Sequence, residues 1–196
     1  MKRDRRRSEP PRTPGVLDLR EGAATAAHDL STSLWRSWCD AAAVTLARVH
    51  RGAPPKRCVL CLDGREDLGT SLVWATPNDR TKRSHANTTD ATEMGAYAVA
   101  TLAVHAIDGW RVIARTPTES GADLWMVGKN EPPDAQIRLE VSGIAKGTGA
   151  SGVAALRTRL NQKVAQIRRG KSAEPGIAAV VGFELVRVLV SEVTIR

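Results

Sequence analysis

The hydrophobic pattern of residues 136–183 places the strongest limit on the fold of this chain. A strand is predicted at 136–144, because residues 136–142 alternate strictly between polar and apolar side chains, which is the period of a β-strand with one buried face. An amphipathic helix is predicted next, at about 153–169. Residues 177–183 are then apolar without interruption, which is typical of a buried strand in a parallel arrangement. A strand, a helix and a buried strand in this order predict an α/β fold.

The residues before this segment extend the same pattern toward the N-terminus. Asp90 and Glu93 have the spacing of a capping box at the start of a helix. The predicted elements are a helix at about 90–108 and strands at 110–115 and 123–127. Over about residues 88–185 the chain therefore reads helix, three strands, helix, strand. Residues 186–195 predict a final element, either a strand or a helix.

The N-terminal half predicts a tail and an extension in front of this core. Residues 1–22 are rich in arginine and proline and show no apolar period, which predicts a disordered basic tail. Residues 23–196 are expected to form a single α/β domain, because this length suffices for one hydrophobic core. The extension consists of a predicted helix at 25–50, a hairpin with strands at 58–62 and 71–74, and a loop at 76–90.

Charge and cysteine usage limit the partners and the compartment. The formal net charge is +8, which favours a polyanionic partner, most commonly nucleic acid, and we expect DNA. Part of this excess lies in the tail. No apolar run is long enough to span a membrane, and no secretory signal is recognisable, so we expect a cytoplasmic protein without a membrane partner. Cys39, Cys58 and Cys61 are too few for a disulfide scaffold or a complete zinc site, and buried thiols are expected.

Two acidic side chains occupy positions in the predicted sheet at which they can meet. Asp123 heads the second strand of the core, and Glu140 lies on the polar face of the third strand. If these strands form a hairpin, the two carboxylates converge at one edge. Carboxylate oxygens are the ligands that Mg²⁺ and Mn²⁺ prefer, and such an ion polarises a phosphate or activates a water. Lys163, on the following helix, is placed to orient that water or to stabilise charge on the phosphate.

The segments Gly121-Ala122-Asp123 and Glu140-Val141-Ser142 resemble the motifs of the PD-(D/E)XK nuclease superfamily. The resemblance covers about residues 88–185. It implies a restriction-endonuclease-like core of a helix, a three-stranded antiparallel meander, a crossover helix and a further strand. It also implies that Asp123 and Glu140 bind Mg²⁺ or Mn²⁺ and that the protein hydrolyses phosphodiester bonds of nucleic acid.

The chain departs from the family pattern at one position. Ser142 stands where the resemblance leads us to expect lysine. The family sometimes moves this lysine to the following helix, where Lys163 is the candidate and Gln166 is an assisting residue. The family often places an acid on the first core helix, and Glu93 matches that position as a third metal ligand. If the lysine is lost, the resemblance implies a degenerate relative that binds nucleic acid without cutting it.

Simpler structural explanations exist for each of these residues. Glu93 fits the capping box, and Asp123 fits a turn after a glycine. Glu140 fits a solvated strand residue paired with Arg138 or a neighbouring cation, and Lys163 fits the polar side of an amphipathic helix. Two further segments, residues 91–97 and 139–144, resemble parts of uncharacterised bacterial proteins that share the patterns ATExGAY and LEVSG. That second resemblance implies no particular activity.

A glycine-rich loop offers a different function. Residues 147–152 match G-x-G-x-x-G between a predicted strand and a predicted helix, which is the context of a dinucleotide-binding loop. The strand before it carries Arg138 and Glu140, whereas a buried dinucleotide-binding strand is apolar, and the chain after Gly152 is too short for the rest of such a sheet. Three hypotheses therefore stand: a metal-dependent nuclease, a non-catalytic module that binds nucleic acid or protein, and a nucleotide-binding protein. Nucleases that cut both strands are commonly dimers, so a homodimer is considered alongside a monomer.

Overall fold

The computed structural model describes residues 15–20, 26–117, 122–132, 134–170 and 174–194. The strands are β1 (Leu17–Asp18), β2 (Lys56–Leu62), β3 (Arg65–Val73), β4 (Arg111–Arg115), β5 (Leu124–Val127), β6 (Ile137–Ile144), β7 (Gly176–Gly182) and β8 (Arg187–Val193). The helices are α1 (Thr32–Val49), α2 (Asp79–Ser84), α3 (Thr88–Asp108) and α4 (Gly149–Arg169). The prediction of a mixed α/β fold is confirmed.

All eight of these strands lie in one sheet, in the order β1-β3-β2-β8-β7-β6-β5-β4. Strands β4, β5 and β6 form an antiparallel meander. Helix α4 then crosses over, and β7 pairs with β6 in parallel. From α3 to β7 the elements therefore follow the predicted order of helix, three strands, helix and strand. The last predicted element is a strand, because β8 pairs antiparallel with β7 along its whole length.

The N-terminal extension continues this sheet instead of forming a separate layer. The hairpin β2–β3 joins it through β8, which pairs in parallel with β2. The predicted loop at 76–90 is wrong in part, since α2 forms within it behind an Asn78 cap. The predicted tail also ends too late. Leu17 and Leu19 are buried and β1 pairs with β3, whereas residues 1–14 and 21–22 lie outside the described part of the chain.

The helices cover both faces of the sheet, and β7 shows how. Its residues Ile177, Ala179 and Val181 pack in the core that contains α1 and α3, whereas Ala178 and Val180 pack against α4. Alternate residues of a strand point to opposite faces, so α4 lies on the face opposite α1 and α3. The three cysteines are buried free thiols, as expected. No helix in the described ranges is both long and apolar enough to cross a membrane.

The start of α3 differs from the sequence prediction in a way that matters for the site. Its N-cap is Asn87, whose Oδ1 accepts hydrogen bonds from the amides of Thr89 (3.0 Å) and Asp90 (3.4 Å). The predicted capping box of Asp90 and Glu93 is therefore wrong, because the helix begins before Asp90 and its first amides already have an acceptor. The Glu93 side chain has no capping role and is exposed on the helix surface.

Candidate active site

An open cleft of about 480 Å³ lies where α3 begins, where β6 ends and where α4 passes over β6. Its walls are the first turns of α3 and the middle of α4, and its floor is β6. A Cβ atom at Gly143 would lie 2.6 Å from the Thr92 carbonyl oxygen, so only glycine lets α3 approach β6 this closely. The lining residues are Thr88, Thr89, Thr92, Glu93, Asp123, Val141, Ser142, Gly143, Ala145, Arg159 and Lys163.

Asp123 is held by hydrogen bonds from two elements. Its Oδ2 accepts the Val141 amide of β6 at 2.7 Å, and its Oδ1 lies 3.2 Å from the Tyr97 hydroxyl of α3. The same hydroxyl lies 3.1 Å from Oε1 of Glu93, one helical turn earlier. Tyr97 therefore links the carboxylates of Glu93 and Asp123. Asp123 is not explained by a turn alone, because its side chain connects α3 to β6.

Glu140 and Lys163 form a close buried pair. The Lys163 Nζ of α4 donates to Glu140 Oε1 at 2.5 Å and to Gln166 Oε1 at 3.3 Å. The Glu140 side chain is 2% exposed and that of Lys163 is 19% exposed. Glu140 therefore pairs with a neighbouring cation, as one simpler explanation has it, but the prediction that this carboxylate is solvated is wrong. Burial of a carboxylate costs desolvation free energy even when the carboxylate has a partner. A purely structural role therefore does not account for an acid at position 140.

The ionisation of both acids is perturbed. Burial raises the pKa of Glu140 to about 7, and the nearby charge of Asp123 adds to this rise, while Lys163 opposes it. Burial also raises the pKa of Asp123, against the opposing effects of the Val141 amide and the Lys163 charge. Desolvation is the first cause of the raised pKa of Tyr97, so its hydroxyl stays protonated and can donate. Perturbed acids in a cleft are a feature of functional sites.

Glu140 Oε2 is buried, and no residue that the structure describes donates a hydrogen bond to it with good geometry, although the Gln166 side chain lies close enough to lower the pKa of Glu140. A buried carboxylate oxygen without a donor is costly, and a cation or a bound water would satisfy it.

Arg138, two residues earlier on β6, does not pair with Glu140. Its Nη2 donates to the carbonyl oxygens of Glu174 (2.8 Å) and Ile167 (3.4 Å), at the end of α4 and before β7. The guanidinium therefore ties the C-terminal end of α4 to the sheet, and it is fully buried. A carbonyl-bound arginine at this place fixes the helix that carries Lys163.

The structure places the five predicted site residues in two hydrogen-bonded sets beside the cleft. Tyr97 joins Glu93 to Asp123, and Lys163 joins Glu140 to Gln166. Glu93, Asp123 and Lys163 line the cleft. Within the described ranges, no group of three or more histidine, cysteine, aspartate or glutamate side chains is arranged as a metal site. Gly121 of the first motif lies outside those ranges.

The sequence alone assigns no role to Tyr97 or Arg159. Tyr97 lies four residues after Glu93, which places both on one face of α3. Arg159 and Lys163 have the same spacing on α4. In each case, the spacing of four residues from a candidate (Glu93 or Lys163) predicts that the other residue lies on the same helix face.

The glycine pattern at 147–152 has a structural explanation. The Gly147 amide donates to Glu184 Oε2 at 2.6 Å, so it already has an anionic acceptor. A Cβ at Gly152 would lie 2.7 Å from the Gly147 carbonyl carbon, so the two glycines let the backbone fold on itself before α4. Gly149 takes a left-handed φ of 58°, which also favours glycine.

Comparison of the chain with protein-family models, with curated proteins and with solved structures found no match.

Proposed function

We propose that this chain is a metal-dependent nuclease with a restriction-endonuclease-like core, and that it hydrolyses phosphodiester bonds of nucleic acid, with DNA the expected substrate. The observation that carries the proposal is the contact of 2.5 Å between Lys163 Nζ and Glu140 Oε1. A lysine from the crossover helix thereby reaches the strand on which Ser142 stands in place of the motif lysine.

The arrangement of the elements supports this proposal. Asp123 precedes β5 directly and Glu140 lies in the middle of β6, so the acids lie on adjacent strands of the meander, as the resemblance to the PD-(D/E)XK superfamily implies. The acid at Glu93 lies on the helix before the meander. The same order of helix, meander, helix and parallel strand supports a restriction-endonuclease-like core.

The donor set fits a hard divalent cation. Asp123 and Glu140 are the residues that would hold Mg²⁺ or Mn²⁺, with Glu93 as a further acid across Tyr97. The buried Glu140 Oε2 without a donor and the raised pKa values of both acids are features that a cation would relieve. Such a cation, when bound, supplies Lewis-acid polarisation of the phosphate and a more acidic water.

The side chains of this chain provide the remaining functions. The Lys163 ammonium has three N–H donors, and its hydrogen bonds to Glu140 and Gln166 use two of them. The third can donate to an attacking water or to a phosphate oxygen in the cleft that Lys163 lines. Gln166 holds the ammonium in place. The Val141 amide fixes Oδ2 of Asp123, and the single proton of the Tyr97 hydroxyl is available to Oδ1 of Asp123 or to Oε1 of Glu93.

A cleavage assay with and without Mg²⁺ tests the proposal on duplex DNA, single-stranded DNA and RNA. We expect wild-type protein to cut in Mg²⁺ and not in EDTA. Asp123→Ala, Glu140→Ala and Lys163→Met are expected to lose cutting while their circular dichroism stays that of the wild type. The control is Glu174→Ala, which removes an exposed acid outside the cleft. Cutting at the wild-type rate by the Asp123 and Glu140 variants would refute the mechanism.

A non-catalytic nucleic-acid module on the same fold is the second candidate. The observation that favours it is Ser142 at the motif position, together with the use of both Asp123 oxygens in internal hydrogen bonds. This candidate predicts salt-sensitive binding of nucleic acid by wild-type protein and no cutting in Mg²⁺ or Mn²⁺. The cleavage assay therefore distinguishes the two candidates.

A further inference from the structure

The two cations on the α4 wall of the cleft have different surroundings. Lys163 is largely buried and bonded to Glu140 and Gln166. Arg159 is exposed and has no hydrogen bond or ion pair to any residue that the structure describes. Four residues separate them, so they lie on the same face of α4, about 6 Å apart along its axis. Arg159 thus presents an uncompensated guanidinium one turn from the candidate active-site lysine.

The charge balance of the cleft gives this guanidinium a role. Glu93 and Asp123 line the cleft, and the Lys163 charge is matched by Glu140 behind it. Glu93 and Asp123 leave two uncompensated negative charges in the ionised cleft, which repel a phosphate. Arg159 offsets one of them, and the divalent cation of the proposed function would offset the rest. A guanidinium presents a planar set of N–H donors that match two phosphate oxygens, so Arg159 is chemically suited to hold a phosphate group there.

The rest of the lining indicates which part of a nucleic acid is recognised. The wall facing α4 carries the exposed hydroxyl groups of Thr88 and Thr89, and the floor carries Ser142. None of the lining residues that the structure describes is aromatic. Base recognition in single strands relies on stacking against aromatic rings, whereas hydroxyl and guanidinium groups bind phosphate and sugar.

We propose that Arg159 binds a backbone phosphate of the nucleic-acid substrate beside the phosphate held at Lys163, and that this cleft recognises the sugar-phosphate backbone and not the bases. The proposal rests on the nuclease function proposed above. Arg159 is a substrate-binding residue in this scheme, and Lys163 acts on the reacting group. Loss of Arg159 therefore weakens substrate binding and leaves turnover of bound substrate largely unchanged.

The test compares Arg159→Gln with Arg157→Gln. Both arginines are exposed on α4, but only Arg159 lines the cleft. Binding of fluorescein-labelled oligo-dT and oligo-dA of equal length is measured by anisotropy, with Ca²⁺ as the hard cation. Arg159→Gln is expected to lose affinity about tenfold for both sequences, with a salt slope lower by about 0.7. Arg159→Lys is expected to recover part of the affinity, because it keeps the charge.

The outcomes separate this inference from the proposed function. A higher KM with kcat nearly unchanged in Arg159→Gln supports it. Equal losses in the Arg157 and Arg159 variants would reduce Arg159 to general surface charge and overturn it. A loss confined to one base sequence would overturn the backbone assignment. If wild-type protein cuts DNA and Arg159→Gln is unchanged, only this inference fails. If wild-type protein neither binds nor cuts DNA or RNA, the proposed function fails.

Discussion

Replacement of Glu140 by glutamine is expected to stabilise the protein at alkaline pH. Burial beside Asp123 raises the pKa of Glu140 from 4.5 to about 7. The folded protein therefore binds this proton more tightly than the unfolded chain, and ionisation of Glu140 opposes folding. The cost is absent below pH 4.5, develops as the pH rises toward 7 and is complete above it. The difference between the two pKa values corresponds to about 3 kcal/mol.

Urea unfolding followed by the fluorescence of the buried tryptophans measures this effect in buffers free of divalent cations. The glutamine in Glu140→Gln does not ionise. The difference in unfolding free energy between this variant and wild type should therefore be about 3 kcal/mol larger at pH 8 than at pH 4.5. In an Asp123→Asn background the gain should be smaller, because the neighbouring charge that helps to raise the Glu140 pKa is gone.

Glu93→Gln is the matched control, because it removes an exposed carboxyl from the same cleft and should show no gain of this size. The reasoning is refuted if the unfolding free energies of wild type and Glu140→Gln change in parallel between pH 5 and pH 8. That result would mean that Glu140 is hydrated or fully compensated in the folded protein.

Three further predictions follow from the packing and the site. Mg²⁺ at tenfold its dissociation constant should raise the unfolding free energy of wild type at pH 8 by about 1.4 kcal/mol, and should leave Asp123→Ala unchanged in the same urea titration. Tyr97→Phe removes the hydroxyl shared by two carboxylates and should cost about 1–2 kcal/mol in urea unfolding at pH 8; wild-type stability would show that the hydroxyl holds neither acid. Gly95→Ala places a methyl group 2.7 Å from the Ala42 Cα and should lower the unfolding free energy by about 1–3 kcal/mol, whereas Gly69→Ala, whose nearest atom lies 3.7 Å away, serves as the control. Equal unfolding free energies for these two glycine variants in urea would contradict close packing of α1 on α3.

The spacing of side chains was enough to predict most elements and the central part of the candidate site. The alternating segment and the apolar run at 177–183 correspond to β6 and β7. The alternation predicted one buried face for β6, whereas the structure buries both, because α4 covers Arg138 and Glu140 on the polar side. Asp123, Glu140 and Lys163 were candidates from their places on successive elements. Residue spacing misplaced the start of α3, since Asp90 and Glu93 match a capping box while Asn87 provides the actual cap.

The sequence by itself determined the order of the elements from α3 to β7 and the acids that the meander brings to adjacent strands. Only the tertiary structure decided that β8 lies between β7 and β2, so that the N-terminal hairpin extends the same sheet. It also decided that Tyr97 links Glu93 to Asp123, and that Glu140 is buried against Lys163. The physical reason is that periodicity is a local property, whereas pairing of distant strands, desolvation and pKa depend on which surfaces meet.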